Sequence, residues 1–570
     1  MTGTAIEIKI DGTPTDGKNP WLDSLVWGTR WMNSDGSDNT TQITYFAQAG
    51  EDPHNEFKAT GAVWNEYDLV ALQHAFTAWS NVANIQFVAG EENNSDIWLW
   101  KTTSKVMPGW LGWSDVPASQ YSSGEPLYVV VNGDHESASP EGMQLGGYGY
   151  ITLIHELGHL IGLAHPHDGG TETDGNVFPQ VNDPFDSYGQ FDLNQGIWTT
   201  MSYNDGWPVH FPDHQPNRFI EYGWQGTPMA LDIAAIQTIY GKNNSYKLGD
   251  DTYQLPDLNA AGTYWSCIWD SGGIDTISNA GSSQACNINL NAAKLTGANA
   301  GGIVSHNLHT LGGFTIANGV TIENAIGGSG RDHIVGNKLS NKIDGMAGSD
   351  YMAGGKGNDF YWVRDKGDEV VELSKGGIDT VYSYLESYSL TANVENAEIH
   401  FSGAAQLIGN KLANTIKGGA GDDILLGKGG DDTLFGDVGN DTLVGGAGKD
   451  TLTGGEGNNT FTFKTWKDSS EQILERDIIT DFKVGLDLID LSAFDANILQ
   501  RGVQSFTELK MGTTPYVGQF ATLGELYFDQ TEQVLYANVD ADADADFSVQ
   551  ITGAASLSMA DLVLQATVLI

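Results

Sequence analysis

The sequence predicts an α+β domain over residues 26–245, followed by an all-β domain, a parallel β-roll or β-sandwich, over residues 246–485. Three observations predict it. Before Gly241, short apolar strand-like runs alternate with helical periodicity. After Gly241 the composition turns glycine-rich and a nine-residue repeat appears. The 570 residues exceed what a single core organises, so two or three domains are expected.

In chain order, residues 1–25 are polar with Gly and Pro and read as an arm or a short pro-segment. ITYFA at 43–47 reads as a strand. Leu69, Leu72, Phe76 and Trp79 fall three and four apart and make one apolar helix face, with Asn65 as its N-cap. IQFV (85–88), IWLW (97–100) and LYVVV (127–131) read as further strands. Gly146 and Gly147 break the chain before a second helix, whose Ile154, Leu157 and Ile161 face the core.

That second helix carries HELGHLIGLAH, residues 155–165. His155 and His159 are four apart, so both imidazoles project from one helix face. Gly162 suits a left-handed turn, after which the chain can return with His165 as a third ligand. Three neutral imidazoles bind zinc and leave a position open, the catalytic rather than the structural arrangement. Glu156 lies beside them, placed to reach a metal-bound water without ligating the metal. A chance run of histidines on a buried helix is the bland alternative; five fixed residues make it rare.

Met201 follows His165 by 36 residues (201 − 165), and Tyr203 follows it by two more. HExxHxxGxxH with a later Met resembles the metzincin zinc peptidases, and Tyr203 makes the likeness specific to the serralysin branch. The resemblance implies zinc held by His155, His159, His165 and, at rest, Tyr203. It implies Glu156 as general base, Tyr203 as a donor to the tetrahedral oxyanion, and Met201 as a structural floor. GWLGWSDVP (109–117) then matches the edge strand above the cleft, though an ordinary aromatic strand and loop fits equally well. Residues 227–241 are similar to the helix that closes such catalytic domains.

Glycines recur every nine residues at 327, 336, 345 and 354, and again from 409 to 454, giving two blocks at 327–362 and 409–462. Copies such as GGAGDDILL follow GGxGxDxUx, the calcium-binding β-roll repeat. Position eight (Leu425, Leu434, Leu443, Leu452) points inward, and position six faces the turn. Two repeats make a coil, so Asp423 stacks on Asp441 and Asp432 on Asp450. The candidate calcium ligands are Gly327, Asp332, Asp350 and Asp359, then Gly418, Asp423, Gly427, Asp432, Gly436, Asp441, Gly445 and Asp450. Position six is Asn at 341, 414 and 459, where binding should weaken. By family resemblance, KLGDDTY (247–253) and IWDSGGIDT (268–276) add Asp251, Asp270, Gly272 and Asp275. Residues 486–570 resemble the family's C-terminal cap, with a type I export signal near DLVL at 561–564.

Net charge is −46, which argues against nucleic acid and anionic membranes as partners. No apolar run of membrane-spanning length occurs, and the first residues lack the pattern of an ordinary secretory signal. Cys267 and Cys286 either bridge neighbouring strands or stay as two small buried residues. The expectation is a secreted, monomeric zinc endopeptidase with several structural calcium ions, acting on protein or peptide substrates. The resemblance also implies type I secretion machinery and a periplasmic proteinaceous inhibitor as partners. A calcium-dependent adhesin with a vestigial zinc site is the alternative; a lipase is disfavoured because no GxSxG elbow occurs.

Overall fold

The computed structural model describes residues 3–7, 19–33, 40–48, 61–117, 126–168, 177–206, 221–472, 474–514, 516, 520–540 and 542–565. They fall into two units, Met1–Asn324 and Ala325–Ile570. The first therefore reaches past the composition change at Gly241 and takes in the early strands of the glycine-rich region.

In the first unit, β1 (Gly3–Glu7) pairs antiparallel with β2 (Thr29–Asn33), so part of the expected arm is ordered. Helix α1 (Pro20–Ser24) starts at Asn19, whose side chain accepts from the amides of Trp21 and Leu22. A five-stranded sheet follows. Its strands are β3 (Thr41–Gln48), β4 (Ile85–Ala89), β5 (Ile97–Thr102), β6 (Gly112–Ser114) and β7 (Leu127–Asn132), in spatial order β4-β3-β5-β7-β6. All neighbours are parallel except β6, an antiparallel edge strand. The 109–117 stretch thus supplies an edge.

Helix α2 (Glu66–Val82) begins at Asn65 as expected, and the Asp68 carboxylate accepts the Asn65 amide at 2.7 Å. Its buried face differs from the expected one. Leu69 is 46% exposed, while Ala71, Leu72, Ala75, Phe76, Ala78, Trp79 and Val82 turn inward. The alanines let α2 approach α3 (Tyr148–Leu160) closely, and Trp79 Nε1 donates to the Ile154 carbonyl of α3 at 3.2 Å. Helix α4 (Ala230–Tyr240) closes this part of the chain. Cys267 and Cys286 are free and buried, and burial pushes the Cys267 thiol up to about 12.

The second unit is a parallel roll. Along one side, Phe360–Val363, Thr380–Ser383, Asn396–Ile399, Thr415–Lys417, Thr433–Phe435 and Thr451–Thr453 pair in succession. The opposite side carries Ser387–Ser389, Gln406–Ile408, Ile424–Gly429, Thr442–Ala447 and Thr460–Thr462. Instead of two blocks with a gap, the ladder runs straight through residues 363–408. The step between paired strands departs from 18, to 20 (Phe360 to Thr380), then 16 (Thr380 to Asn396), then 19 (Asn396 to Thr415). The connecting turns absorb the added or missing residues while the strands keep register. The inward residues Ile334, Ile343, Met352, Leu425, Leu434, Leu443 and Leu452 are all fully buried. Past the repeats, Asp477–Ile479 and Leu488–Asp490 extend the two sides. Antiparallel strands Val534–Ala537 and Phe547–Ile551 follow, covering the end of the ladder. No described helix is long and apolar enough to cross a membrane.

Candidate functional site

Helix α3 presents His155 and His159 one turn apart, and its end delivers the third histidine. Gly162 stands at φ +103, where a side chain would strike the Thr29 carbonyl. The chain reverses there, and Leu163 bridges to Val26. His165 then faces back, its Nε2 3.1 Å from His155 Nε2 and 2.9 Å from His159 Nε2.

Each ring is fixed through its other nitrogen. His155 Nδ1 donates to the Thr200 carbonyl at 2.8 Å, and His159 Nδ1 to the Leu163 carbonyl at 2.9 Å. His165 Nδ1 meets an Asp168 carboxylate oxygen at 2.5 Å. Carbonyls and carboxylates accept, so the proton sits on Nδ1 and each Nε2 keeps a lone pair. Burial holds all three imidazoles neutral: His155 is pushed down to about 4, and His159 and His165 well below the ordinary histidine range. Three lone pairs facing one another repel unless a cation lies among them. Ligands on a tetrahedral zinc at 2.0–2.1 Å stand roughly 3.3 Å apart, so the observed spacing fits one.

The Met201 turn lies beneath. Met201 is fully buried, and a side chain at Gly158 would come within 2.6 Å of its sulfur. The turn is pinned by Asp232 of α4. Its buried carboxylate accepts from Thr199 Oγ1 at 2.5 Å, Thr200 N at 2.7 Å, Thr200 Oγ1 at 2.9 Å and Met229 N at 2.9 Å. Burial nevertheless pushes Asp232 up to about 6. Asp232 therefore fixes the Thr200 carbonyl that orients His155, a role invisible in the sequence, where it reads as a helix-start carboxylate.

Glu156 is 7% exposed, and burial raises it to about 8. Its carboxylate lies against Gly112 of the edge strand, where a side chain would stand 2.5 Å from Glu156 Oε1. Tyr203 is 37% exposed, with its ring stacked 5.6 Å from that of His155. Burial, then the Glu156 and Asp168 charges, push its phenol up to about 12. His155, Glu156 and Tyr203 line one cavity of about 420 Å³ with Gly112, Tyr148 and Trp224.

The acidic residues form separate clusters. Oxygens of Asp251, Asp270 and Asp275 lie within 4.8 Å of one another. Asp275 Oδ1 accepts the Asp251 amide at 2.8 Å, and Asp270 Oδ1 accepts the Gly272 amide at 3.0 Å. Asp250 is outside that group and caps Ile274 instead.

In the roll, one carboxylate oxygen of each turn accepts the amide of the residue 18 positions earlier. Asp441 accepts from Asp423, Asp450 from Asp432, and Asp350 from Asp332, each at 2.8 Å. Asn341 and Asn414 donate their amides to Asp359 and Asp432 at 2.7 Å, and Asn459 accepts from Asp441 at 3.0 Å. The second oxygen of Asp350, Asp359, Asp423, Asp432, Asp441 and Asp450 is buried without a hydrogen-bond partner among the described residues. At Gly327, Gly427, Gly436 and Gly445 a side chain would strike the outer oxygen of the Asp five residues on. At the first three it would also meet the carbonyl of Gly345, Gly445 or Gly454 from the neighbouring turn at 2.5 Å. Gly418 lies 2.6 Å from the Gly436 carbonyl by the same measure. Carboxylate and carbonyl oxygens converging on one gap suit calcium.

Glu372 and Asp379 escaped the repeat pattern. With Asp359 they form a buried group within 4.8 Å, and the Tyr361 hydroxyl donates to Glu372. They lie where the repeat is interrupted, so no period points to them.

The family described as Peptidase M10 serralysin C terminal matches residues 230–564. Metallopeptidase AprA of Pseudomonas marginalis is 30% identical over 329 residues, 55% of this chain and 64% of its own length. Serralysin of Photorhabdus luminescens is 28% identical over 327 residues, 55% of this chain and 62% of that protein. The chain thus spans under two thirds of these relatives. Among solved structures, the AlgE6R3 subunit of the Azotobacter vinelandii mannuronan C5-epimerase is 33% identical, covering 29% of this chain and 81% of that one, with a TM-score of 0.18.

Proposed function

The chain belongs to the serralysin C-terminal family of M10 peptidases, and from that membership we propose that it is a secreted zinc-dependent endopeptidase cutting extracellular proteins. The observation that carries the reading is the convergence of three Nε2 lone pairs beside Glu156 in an open cleft. His155, His159 and His165 would hold zinc, with Tyr203 as a resting fourth ligand. Bound there, zinc supplies Lewis acidity to a water and to the scissile carbonyl. Glu156 takes the proton of the attacking water and returns it to the leaving amine. Its carboxylate lines the cavity beside His155, which suits a base that hands the proton from water to the leaving amine. Tyr203 donates to the oxyanion from its half-exposed position above His155. An extended substrate adds as a strand to the free edge of β6.

Calcium belongs to the roll, at the repeat Asp and Gly positions named above, and to Asp251, Asp270, Gly272 and Asp275. Export by type I machinery, a monomeric state and inhibition by a periplasmic protein extend the same family reading; residues 566–570, past the DLVL signal, lie outside the described residues.

Hydrolysis of casein with and without a zinc-selective chelator tests the proposal. Chelator-sensitive cleavage that returns with zinc is expected. A fully zinc-loaded protein that cuts no peptide supports the adhesin reading instead.

A further inference from the structure

One carboxylate in the cleft has no part in this chemistry. Asp205 lines the same cavity as Glu156, two residues beyond Tyr203, beside Tyr148 and Trp224. The Tyr148 and Trp224 rings lie 4.5 Å apart at 32°. Asp205 and both rings line the same cavity, so a ligand there meets the carboxylate and the aromatic faces together. Trp110 and Phe185 on the same walls are 60% and 63% exposed and open to a ligand. Among the described lining residues there is no Lys or Arg. No described cation stands within ion-pair distance of Asp205.

A half-buried carboxylate that shares a cavity with aromatic faces, and has no cation partner among the described residues, is satisfied by a cation that arrives with the ligand. A guanidinium or ammonium gains both a charge-assisted hydrogen bond and attraction to the ring faces. An acidic side chain would meet a like charge, and an aliphatic one would leave the carboxylate desolvated and unpaired. We infer that Asp205, Tyr148 and Trp224 form a subsite selecting an Arg or Lys side chain of the substrate near the scissile bond. The inference rests on the peptidase reading above.

The test uses the full-length, zinc- and calcium-loaded protein and peptides that differ only by Arg, Lys, Leu or Glu within two residues of a cleavable bond. At one position the kcat/KM for Arg or Lys should exceed that for Leu by roughly tenfold, about one good charge pair, with Glu lowest. Asp205→Asn should bring the Arg/Leu ratio close to one, and Asp205→Lys should turn the preference toward Glu. Equal cleavage of all four peptides, or a basic preference that survives Asp205→Asn, overturns the subsite. If nothing is cleaved, the peptidase reading fails on its own. The subsite is then read from binding of the same peptides to Glu156→Ala protein. Tighter Arg binding that disappears in the Glu156→Ala, Asp205→Asn double variant supports it, and equal binding overturns it.

Discussion

The histidine centre and the roll both gather ligand atoms around a gap, but they hold opposite electrical debts. At the centre, every imidazole is neutral and tied down through Nδ1. Without metal, the cost is crowding among three lone pairs. In the roll, most facing groups are carboxylates, fully or almost fully buried, and Asp350, Asp359, Asp423, Asp432, Asp441 and Asp450 each have one oxygen without a partner among the described residues. Burial pushes Asp350, Asp359, Asp432 and Asp441 up to about 7 and Asp477 to about 9. On the proposed reading, the contrast teaches that zinc would serve chemistry on a scaffold that stands without it, whereas calcium would be part of what makes its own scaffold fold.

The widest test of this contrast is to strip each metal separately. Removing calcium should abolish amide protection over roughly residues 326–462, read by hydrogen exchange on the full chain. Removing zinc should leave protection of α3 nearly unchanged. Equal loss in both regions would erase the distinction. Next in size, Glu156→Ala should lower kcat/KM by about 10²- to 10⁴-fold, the usual worth of a general base, at unchanged zinc content by metal analysis. Tyr203→Phe should lower kcat by roughly 10- to 1000-fold, on the order of one oxyanion donor, again with zinc retained. Unchanged turnover would leave Tyr203 as packing only. Asp232→Asn should weaken zinc binding by about 10- to 100-fold in a competitive chelator titration, because the Thr200 carbonyl loses its anchor.

The smallest expected effect concerns pH. The roll carboxyls titrate higher when folded without metal than when unfolded, so the metal-free fold binds protons the unfolded chain releases. Their contribution is complete below about 4 and is lost as pH rises through about 7. In excess chelator the roll should therefore regain part of its amide protection at pH 5 and show none at pH 8. With calcium bound the order should reverse, since the ion requires the ionised form. The same order with and without calcium would show that these carboxyls do not control the fold.

How much of this was readable in the sequence depended on whether spacing was itself the chemistry. His155, His159 and the roll leucines are fixed by helical and strand periods, and the structure puts them where those periods demand. Asp232 was missed because a carboxylate at a helix start reads as a cap, and only the fold brings Thr199 and Thr200 onto it. Glu372 and Asp379 were missed because they sit in an insertion that breaks the nine-residue step, although the strands on either side keep register. Leu69 was assigned to the buried face because hydrophobicity outweighed the small alanines that set the helix contact.

The carboxylate ladder has a direction. In its sixth-position files each amide is held by a side chain further along the chain: Ala405 by Asp423, Asp423 by Asp441, Asp441 by Asn459 and Asn459 by Asp487. The second file runs from Asn414 through Asp432 and Asp450 to Asp477. In these two files each turn is held by its successor, while the neighbouring Asp422 and Asp431 hold the amides of Asn440 and Lys449 in the opposite sense. A lesion at Asp441 frees the amide of Asp423 but leaves that of Asn459 in place. Asp477 and Asp487 are the last members of the two files, and each pins the amide of a turn that has no further repeat behind it to do so.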